Sequence, residues 1–594
     1  MVSSVAGFAV VMCVSLWVVS GRPGESASTR VNDLSFKDLS GRAYMLKDLQ
    51  PFKAIVFLFF SQQCPASQKY AQRFVQLHDD YAPKGVKVFG VNANLLESRA
   101  DVERYAKEAG FNFPVVKDEG TALADQLGAQ VTPEAVVIDA RGTVRYRGRI
   151  DDHTDADKVT QRYLREALDA ILSDKPVARA EVKAIGCLIA RSTERKKDGK
   201  VTFYRDVLPI LQKNCQSCHR PGEIGPFSLM TYEEARVWAP LIKDYTQRRV
   251  MPPWKAEPIA GVDYVGERRL TDKEIETLAA WADEGAPEGD IRDAPPPAQW
   301  TEGWTLGPPD LVLMPEREFH LDATGRDVYR YFVFPTNYNE DRYVTAIDVR
   351  PGNRRVVHHV IAFLDTSGRA KQLTDKDGQP GYTGFGGPGF IPSGGLGGWA
   401  PGNIPRHLPE GTGIVLPKGA AIVAQVHYHK SGKPETDRTA IGVYFAKSPV
   451  KKRVDILPVA NFFLQIPPGA ERHEVKAFGG FFTDVHALAV MPHMHLIGRE
   501  MKVTATLPNG KEQPLVWIKD WDFNWQDTYW FKNPIPLPRG TRINVTSYYD
   551  NSPKNPRNPN NPPKVVRWGE QTTDEMCIAF IWFTRDSQNL QASR

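Results

Sequence analysis

The sequence predicts a multidomain protein in which an α/β domain is followed by an all-α domain and then by two all-β sandwich domains. Strand-like and helix-like patterns alternate over residues 30–175, which predicts a sheet covered by helices. Two helical patterns bound residues 200–292. Over residues 305–590, short alternating β-runs are broken by frequent glycine and proline, which is typical of paired β-sheets.

The composition excludes several classes of protein. The 594 residues carry 75 Lys and Arg against 70 Asp and Glu, and the net charge of +5 is too small to indicate a nucleic-acid partner. The hydrophobic share of 41% is that of a globular protein rather than of a disordered or fibrous one. Six cysteines in so long a chain do not form a disulfide framework.

The first residues predict export. An apolar run at residues 5–19 is too short to cross a bilayer comfortably, and small residues suited to signal cleavage follow it. We therefore expect a signal peptide at residues 1–28, no other membrane span, and a periplasmic or secreted protein. Because no Lys or Arg precedes the apolar run, an uncleaved anchor or a mis-assigned start codon would also fit.

In the α/β segment, one cysteine stands where a strand turns into a helix. The apolar run Ala54–Phe60 predicts a buried strand, and a helix is predicted from Pro65. Cys64 lies at the start of this helix, where backbone N–H groups and the helix dipole lower a thiol pKa. This position favours a thiolate.

The same residues resemble a thioredoxin-like redoxin domain. Pro133 matches the family's cis-proline opposite the reactive cysteine. The redox motif lacks its second cysteine, because Ser67 occupies that position. A docking or sensing module and a thiol catalyst both stay open, and Cys187, in the linker predicted at residues 176–199, is a candidate distant partner for Cys64.

A second pair of cysteines indicates a haem. In Cys215-Gln-Ser-Cys218-His219, both thiols can form thioethers to the vinyl groups of a porphyrin, and the histidine then lies under the iron as a ligand. This spacing is the attachment signal for a covalent haem c. The alternative is a zinc knuckle, which needs two more ligands, and no other Cys or His occurs between His219 and His320.

A covalent haem of this kind usually takes a second axial ligand. Met251, in a loop with two following prolines, is the candidate, and Met230 is the runner-up. Residues 200–292 resemble a class I cytochrome c domain, which implies electron transfer rather than oxygen binding. A Pro-rich linker at residues 293–304 leads to the β region.

Histidine clusters distinguish the β region. Residues two apart in a strand face the same side, so His493 and His495 can chelate one metal together. The neighbours His358 and His359 face opposite sides of a regular strand, so a common site requires a bulge or a strand end. Imidazole suits copper, and a thioether such as that of Met576 favours Cu(I).

The β region resembles the type II copper, ascorbate-dependent monooxygenases. It carries that family's motifs in the family's order, namely His358-His359, Gln425-Val-His427-Tyr-His429, His493-Met-His495-Leu-Ile-Gly-Arg and Asp574-Glu-Met576-Cys. The resemblance implies two all-β jelly-roll-type domains, at residues 305–450 and 451–590.

The resemblance also implies two copper ions with different roles. The electron-transfer copper would have the ligands His358, His359 and His427. The copper at which oxygen reacts would have the catalytic ligands His493, His495 and Met576. His429 has no metal role in the family's pattern.

Two departures from the family bear on the substrate and on a cysteine. Peptide-hydroxylating members hold a substrate carboxylate with three polar side chains, and those positions here are Met491, Ile578 and Phe580. We therefore expect a neutral substrate that is apolar near the reacting carbon. Cys577 lacks its expected disulfide partner, which predicts a free buried thiol.

These features predict an exported copper monooxygenase that hydroxylates a small organic substrate with O2. An upstream electron donor would supply electrons through the fused haem, with ascorbate or another external reductant as a further source. Two alternatives stay open: a non-catalytic haem and copper electron-transfer protein, and a thiol redoxin or peroxidase centred on Cys64. Two copper sites of different ligand softness favour the enzyme over a simple copper carrier.

Overall fold

The computed structural model describes residues 30–590, except for residues 32, 155, 157–158, 192–194, 224, 301–302, 374, 376, 385–386 and 401–402. The chain divides into two compact units, Met1–Arg191 and Ser192–Arg594. The predicted signal peptide lies outside the described residues. Among the described helices, none combines the length and the apolar character needed to span a bilayer.

The described residues form eight α-helices and 31 strands. The helices are α1 (Pro65–Gln68), α2 (Ala71–Tyr81), α3 (Arg99–Glu108), α4 (Ala122–Leu127), α5 (Tyr163–Leu172), α6 (Leu208–Asn214), α7 (Tyr232–Gln247) and α8 (Asp272–Asp283). The strands of the first unit are β1 (Ser35–Lys37), β2 (Ala43–Met45), β3 (Ala54–Phe59), β4 (Val86–Asn92), β5 (Val115–Lys117), β6 (Val131–Thr132), β7 (Glu134–Asp139), β8 (Val144–Gly148), β9 (Glu181–Val182) and β10 (Cys187–Leu188). Those of the second unit are β11 (Leu311–Leu313), β12 (Phe319–Leu321), β13 (Val328–Pro335), β14 (Arg342–Arg350), β15 (Val357–Asp365), β16 (Tyr382–Thr383), β17 (Gly394–Trp399), β18 (Thr412–Leu416), β19 (Ala421–Tyr428), β20 (Glu435–Asp437), β21 (Ala440–Phe445), β22 (Lys452–Ala460), β23 (Gln465–Ile466), β24 (His473–Gly480), β25 (Val485–His493), β26 (Gly498–Thr506), β27 (Glu512–Ile518), β28 (Tyr529–Leu537), β29 (Arg542–Tyr549), β30 (Val566–Arg567) and β31 (Ile578–Arg585).

The first unit is built on a six-stranded sheet with the order β5-β4-β3-β7-β8-β9. Strands β3, β4 and β5 run parallel, and β7 pairs with β3 in the antiparallel direction. Every residue of β3 is buried. This is a central strand covered on both faces, and such strands are apolar along their whole length. The predicted thioredoxin-like α/β domain is confirmed.

The segment predicted as a linker, residues 176–199, contributes two strands to the first unit. Strand β9 pairs in parallel with β8 at the sheet edge. Strand β10 pairs antiparallel with β6, and Cys187 lies opposite Thr132. Pairing of two short strands therefore fixes Cys187 beside the loop that carries Pro133.

A large all-β region forms most of the second unit, as predicted. An eight-stranded sheet with the order β11-β21-β14-β18-β22-β31-β25-β28 runs through both predicted β-domains. Its two halves are joined by the parallel pairing of β18 with β22. Each half shares a core with a further sheet, one with the order β16-β13-β19-β15-β17 and one with the order β24-β29-β26-β27.

Residues 200–292 contain three helices and a long excursion between the last two. Thr271 is the N-cap of helix α8, where its side chain accepts from Glu274 N, and Gly285 follows the end of the helix in the left-handed region. The segment between α7 and α8 is not helical and contacts the C-terminal β-domain. Ala256 and Tyr264 form isolated bridges with Ile518 and Phe531.

Tyr264 fixes this excursion to the C-terminal β-domain. Its ring lies in the core that this domain's two sheets share, 5.5 Å from the Tyr529 ring centre. Its hydroxyl donates to the backbone oxygen of Leu515 at 2.7 Å. The segment predicted to carry haem is thus packed directly on a β-domain.

Replacing Tyr264 tests this packing. We expect Tyr264→Ala to lower the free energy of unfolding by about 3–5 kcal/mol, because a buried aromatic ring leaves a cavity. Phe463→Ala is the matched control, since Phe463 is 94% exposed, and should change stability by less than about 0.5 kcal/mol. Denaturant unfolding of the full chain measures both, and equal small effects would contradict the packing.

Candidate functional sites

Three histidines of the first β-domain converge at a bulge. The pairing of β15 with β19 shifts register between Val357 and His359, so that adjacent His358 and His359 reach one site. His359 lies opposite His427 of β19. One nitrogen from each of these three imidazoles lies within 4.8 Å of the other two. The predicted irregularity is confirmed.

The Nδ1 atoms are the ones that converge. His359 Nδ1 lies 3.2 Å from His358 Nδ1 and 3.4 Å from His427 Nδ1. Burial lowers the pKa of His358 to about 3 and holds the pKa of His359 well below its ordinary value. His358 and His359 are therefore neutral, the form in which their lone pairs can bind a metal.

Asp327 orients this cluster from outside. Its Oδ2 accepts from His427 Nε2 at 3.0 Å, which places the ring hydrogen there and leaves Nδ1 free. Its Oδ1 accepts from His429 Nδ1 at 3.0 Å. Although burial raises the pKa of Asp327, the bonds from His427 and His429 hold it well below its usual range. His429 thus reaches the cluster only through Asp327.

A second pair of histidines lies at the end of β25. The His493 and His495 rings are 5.1 Å apart and nearly perpendicular. His493 Nδ1 lies 2.5 Å from Gln526 Oε1, and His495 Nδ1 lies 3.1 Å from the backbone oxygen of Asp574. Because both partners are acceptors, each Nδ1 carries the hydrogen and each Nε2 is left for a metal.

Glu575 joins this pair to Met576. Its Oε2 accepts from the backbone N–H groups of His495 (2.8 Å) and Met576 (3.1 Å), and its Oε1 accepts from Ile497 N (2.8 Å). Burial raises the pKa of Glu575 to about 8 against the lowering effect of these bonds. Neighbouring Cys577 is a free, buried thiol, as predicted.

Phe523 lies between the two histidine groups. Its ring stacks on His358 with centres 4.7 Å apart, and its edge meets His495 at 5.7 Å. Phe523 therefore contacts one histidine of each group, and the two groups together hold five of the six predicted ligand-bearing side chains. Sequence reasoning missed Phe523, Gln526 and Asp327, and the sequence carries no spacing signal for them.

The motif Cys215-Gln-Ser-Cys218-His219 forms a single turn after α6. His219 N donates to Cys215 O at 2.9 Å, and Cys218 N donates to the same oxygen at 3.1 Å. His219 Nδ1 lies 3.1 Å from the backbone oxygen of Phe227, which leaves Nε2 for a metal. In the described part of the chain, Cys215, Cys218 and His219 are not among the groups whose ligand atoms converge as a zinc site requires.

Two buried indoles near this motif have unused hydrogen-bonding capacity. Within the described residues, the Nε1 atoms of Trp238 and Trp300 have no hydrogen-bond partner. Trp238 stacks on Phe227 at 4.2 Å, and Arg220 lies over the ring of Trp300 at 4.7 Å. An unpaired buried N–H costs about 1–3 kcal/mol, so such donors indicate a polar group that the polypeptide does not supply.

Met251 lies directly after α7. Its backbone N–H donates to Tyr245 O at 3.2 Å, and its peptide bond to Pro252 is cis. The next residues touch the β-domain, where Trp254 meets Tyr529 at 5.2 Å. The structure places Met251 in the same unit as His219, and its role as an iron ligand stays a prediction, as does that of Met230.

The first unit holds a pair of thiols. Cys64 is buried, and its Sγ lies 3.1 Å from Thr132 O, next to the cis peptide bond before Pro133. The predicted cis-proline is confirmed. A hydrogen bond with Cys187 lowers the pKa of Cys64 to about 6 and raises the pKa of Cys187. The distant partner suggested by the sequence therefore lies in contact with Cys64.

Glu575 offers a test of the second histidine site. We expect Glu575→Ala to lower the free energy of unfolding by about 3 kcal/mol or more, because three buried backbone donors lose their acceptor. Glu474→Ala is the control, since Glu474 is an exposed carboxylate and its loss should cost under about 0.5 kcal/mol. If Glu575→Ala and Glu474→Ala lost equal amounts of unfolding free energy in denaturant unfolding, the role of Glu575 in positioning this site would be contradicted.

Two segments of the chain match known protein families. Residues 27–147 match the AhpC/TSA family. Residues 474–593 match the C-terminal domain of copper type II ascorbate-dependent monooxygenases. The second match includes His493, His495 and Met576.

Individual relatives match the first unit. A thiol-disulfide oxidoreductase ResA from Halalkalibacterium halodurans is 29% identical over 123 residues, which are 21% of this chain and 66% of that protein. ResA from Bacillus subtilis is 25% identical over 21% of this chain and 69% of its own. The chain thus spans about two thirds of the length of these curated relatives.

One solved structure illustrates the extent of the structural likeness. A hypothetical protein from Sinorhizobium meliloti is 28% identical and is covered over 95% of its chain, which corresponds to 28% of this one, with a TM-score of 0.27. The family matches confirm two of the three resemblances seen in the sequence, and the resemblance of residues 200–292 to a cytochrome c domain stays a prediction. The chain carries one segment that matches the AhpC/TSA family and another that matches the C-terminal domain of copper type II ascorbate-dependent monooxygenases.

Proposed function

We propose that this protein is an exported copper monooxygenase that hydroxylates a small organic substrate with O2 and receives its electrons through a covalent haem c. The observation that carries the proposal is the arrangement of five imidazoles in two groups, each of which places one ring against Phe523. Two of them belong to the segment that matches the copper monooxygenases.

The donor sets fit two copper ions of different character. His358, His359 and His427 would hold one copper through Nδ1, and His493, His495 and Met576 would hold the other through Nε2 and the thioether. When bound, copper supplies one-electron redox chemistry towards O2. The chain's own contribution is orientation, because Asp327 and Gln526 engage the nitrogens that face away from the metal.

The haem fits the second unit in three respects. Cys215 and Cys218 would form the thioethers, and His219 would bind iron through Nε2, since its Nδ1 is engaged by a backbone oxygen. The unpaired indole N–H groups of Trp238 and Trp300 suit the carboxylates of a porphyrin. When bound, haem c supplies reversible one-electron transfer. Met251 is the proposed second axial ligand.

Contacts within the second unit support electron transfer between these centres. Trp254, three residues after Met251, packs on Tyr529. Arg268 Nη2 donates to Asp527 Oδ2 at 2.6 Å, and the adjacent Gln526 contacts His493. A short run of packed groups therefore connects the proposed haem loop to the second copper site, and an upstream donor would need to reduce only the haem.

The surroundings of His493 support an apolar substrate. In the pairing of β25 with β31, Ile578 lies opposite His493 and Phe580 lies opposite Met491. Met491 shares a strand face with His493, because the two are two residues apart. No carboxylate-binding side chain occupies these three positions, which supports a neutral substrate such as a phenethylamine, a small alcohol or a phenol.

Copper loading and turnover test the proposal. The full chain should bind two copper ions and couple O2 uptake to a hydroxylated product from the substrates named above. We expect Met576→Ile to keep near-normal Cu(II) binding and to lose turnover by more than about 100-fold, because a thioether matters most for Cu(I). Met314→Ile is the control, since Met314 is an exposed methionine.

Metal analysis, oxygen electrode traces and product mass spectra give the result. One copper per chain, or zinc bound in preference to copper, would contradict the proposal. Two coppers with no product from any substrate would favour the non-catalytic electron-transfer alternative.

The haem is tested separately. Protein made in a host with cytochrome c maturation should carry one haem per chain that resists acid–acetone extraction, and Cys215→Ala with Cys218→Ala should abolish it. Met251→Ala should lose the sulfur-to-iron absorption band and lower the potential. Extractable haem in the unaltered protein would refute covalent attachment, and an unchanged spectrum in Met251→Ala would transfer the ligand role to Met230.

A further inference from the structure

The two thiols of the first unit are brought together by strand pairing. Strand β10 pairs with β6 so that Cys187 lies opposite Thr132, whose backbone oxygen is 3.1 Å from Cys64 Sγ. Cys187 is hydrogen-bonded to Cys64. A second thiol thus occupies the neighbourhood of Cys64 although Ser67 replaces the usual resolving cysteine.

The two sulfurs differ in exposure. Cys64 is 1% exposed, whereas Cys187 is partly exposed. A reactant that approaches from solvent therefore meets Cys187 first. The position of Cys64 at a helix start would instead predict that Cys64 is the first sulfur to react.

We propose that Cys64 and Cys187 form a redox-active dithiol that exchanges with small thiol–disulfide couples, and that Cys187 is the sulfur that bonds to the partner. This activity goes beyond the proposed copper and haem chemistry. It uses only residues of the first unit.

The exchange can be written with its electrons balanced. In the oxidised protein, an external thiolate attacks Cys187 Sγ, the bond to Cys64 breaks, and Cys64 leaves as a thiolate. A second external thiolate then attacks the partner's sulfur in the mixed disulfide and forms the partner disulfide. Cys187 leaves as a thiolate and takes one proton from water. Two external thiolates have lost two electrons, and the protein disulfide has gained them.

Electrostatics supports these assignments. The hydrogen bond with Cys187 lowers the pKa of Cys64 to about 6, and a low-pKa thiol is the better leaving group. The bond to Cys64, burial, and the charges of Cys64 and Glu97 raise the pKa of Cys187. The lower pKa of the pair therefore belongs to Cys64 and the higher one to Cys187.

Glutathione is the probe for the test. The full chain, oxidised with glutathione disulfide and digested without reduction, should yield a linked peptide that contains Cys64 and Cys187. Brief treatment of the oxidised chain with reduced glutathione, followed by acid quenching and alkylation, should place the glutathione adduct on Cys187 in about tenfold excess over Cys64.

Variants and controls make the outcome unambiguous. Cys64→Ser and Cys187→Ser should each abolish the linked peptide, and Cys577→Ala, which removes a buried thiol of the other unit, should leave it unchanged. Absence of the linked peptide in the unaltered chain would overturn the dithiol. An adduct mainly on Cys64 would overturn the role given to Cys187. Both experiments use the unaltered protein, so a variant that fails to fold does not affect them.

Discussion

The segment 521–529 is the part of the second unit on which its sites depend. Phe523 separates the two histidine groups, and Gln526 sets the orientation of His493. Tyr529 packs against the excursion from the helical segment. One short segment therefore contacts both candidate copper sites and the chain that follows Met251. Its position is fixed by packing of large aromatic rings, which tolerate little displacement without loss of contact area.

Burial is the second constraint, because it lowers the pKa values of His358, His359, His493 and His495. Buried imidazoles with depressed pKa values are neutral, so each needs one acceptor to fix its hydrogen and leaves one nitrogen for a metal. Two carboxylates, Asp327 and Glu575, lie beside the ligands. Each accepts hydrogen bonds from N–H groups, which stabilise its negative charge. These carboxylates orient the side chains that would bind the metal but do not bind it themselves, as is usual for groups that hydrogen-bond to metal ligands.

The sequence predicted the features that depend on spacing. The interval between His493 and His495 and the motif at Cys215 are short-range patterns whose geometry follows from one strand or one turn. Asp327, Gln526 and Phe523 are common residue types, and only tertiary packing brings them to the histidines. The excursion that carries Tyr264 was equally hidden, because its few apolar residues have no period that distinguishes a docked segment from a loop.

The contact between Cys64 and Cys187 shows why spacing is a poor guide to thiol chemistry. A resolving cysteine need only reach the first sulfur, and a two-residue strand paired beside a cis-proline achieves this from a segment that reads as a linker. The resulting pair transfers two electrons at a time, whereas haem c and copper transfer one. The exchange chemistry of the thiol pair is therefore a separate activity of the same chain.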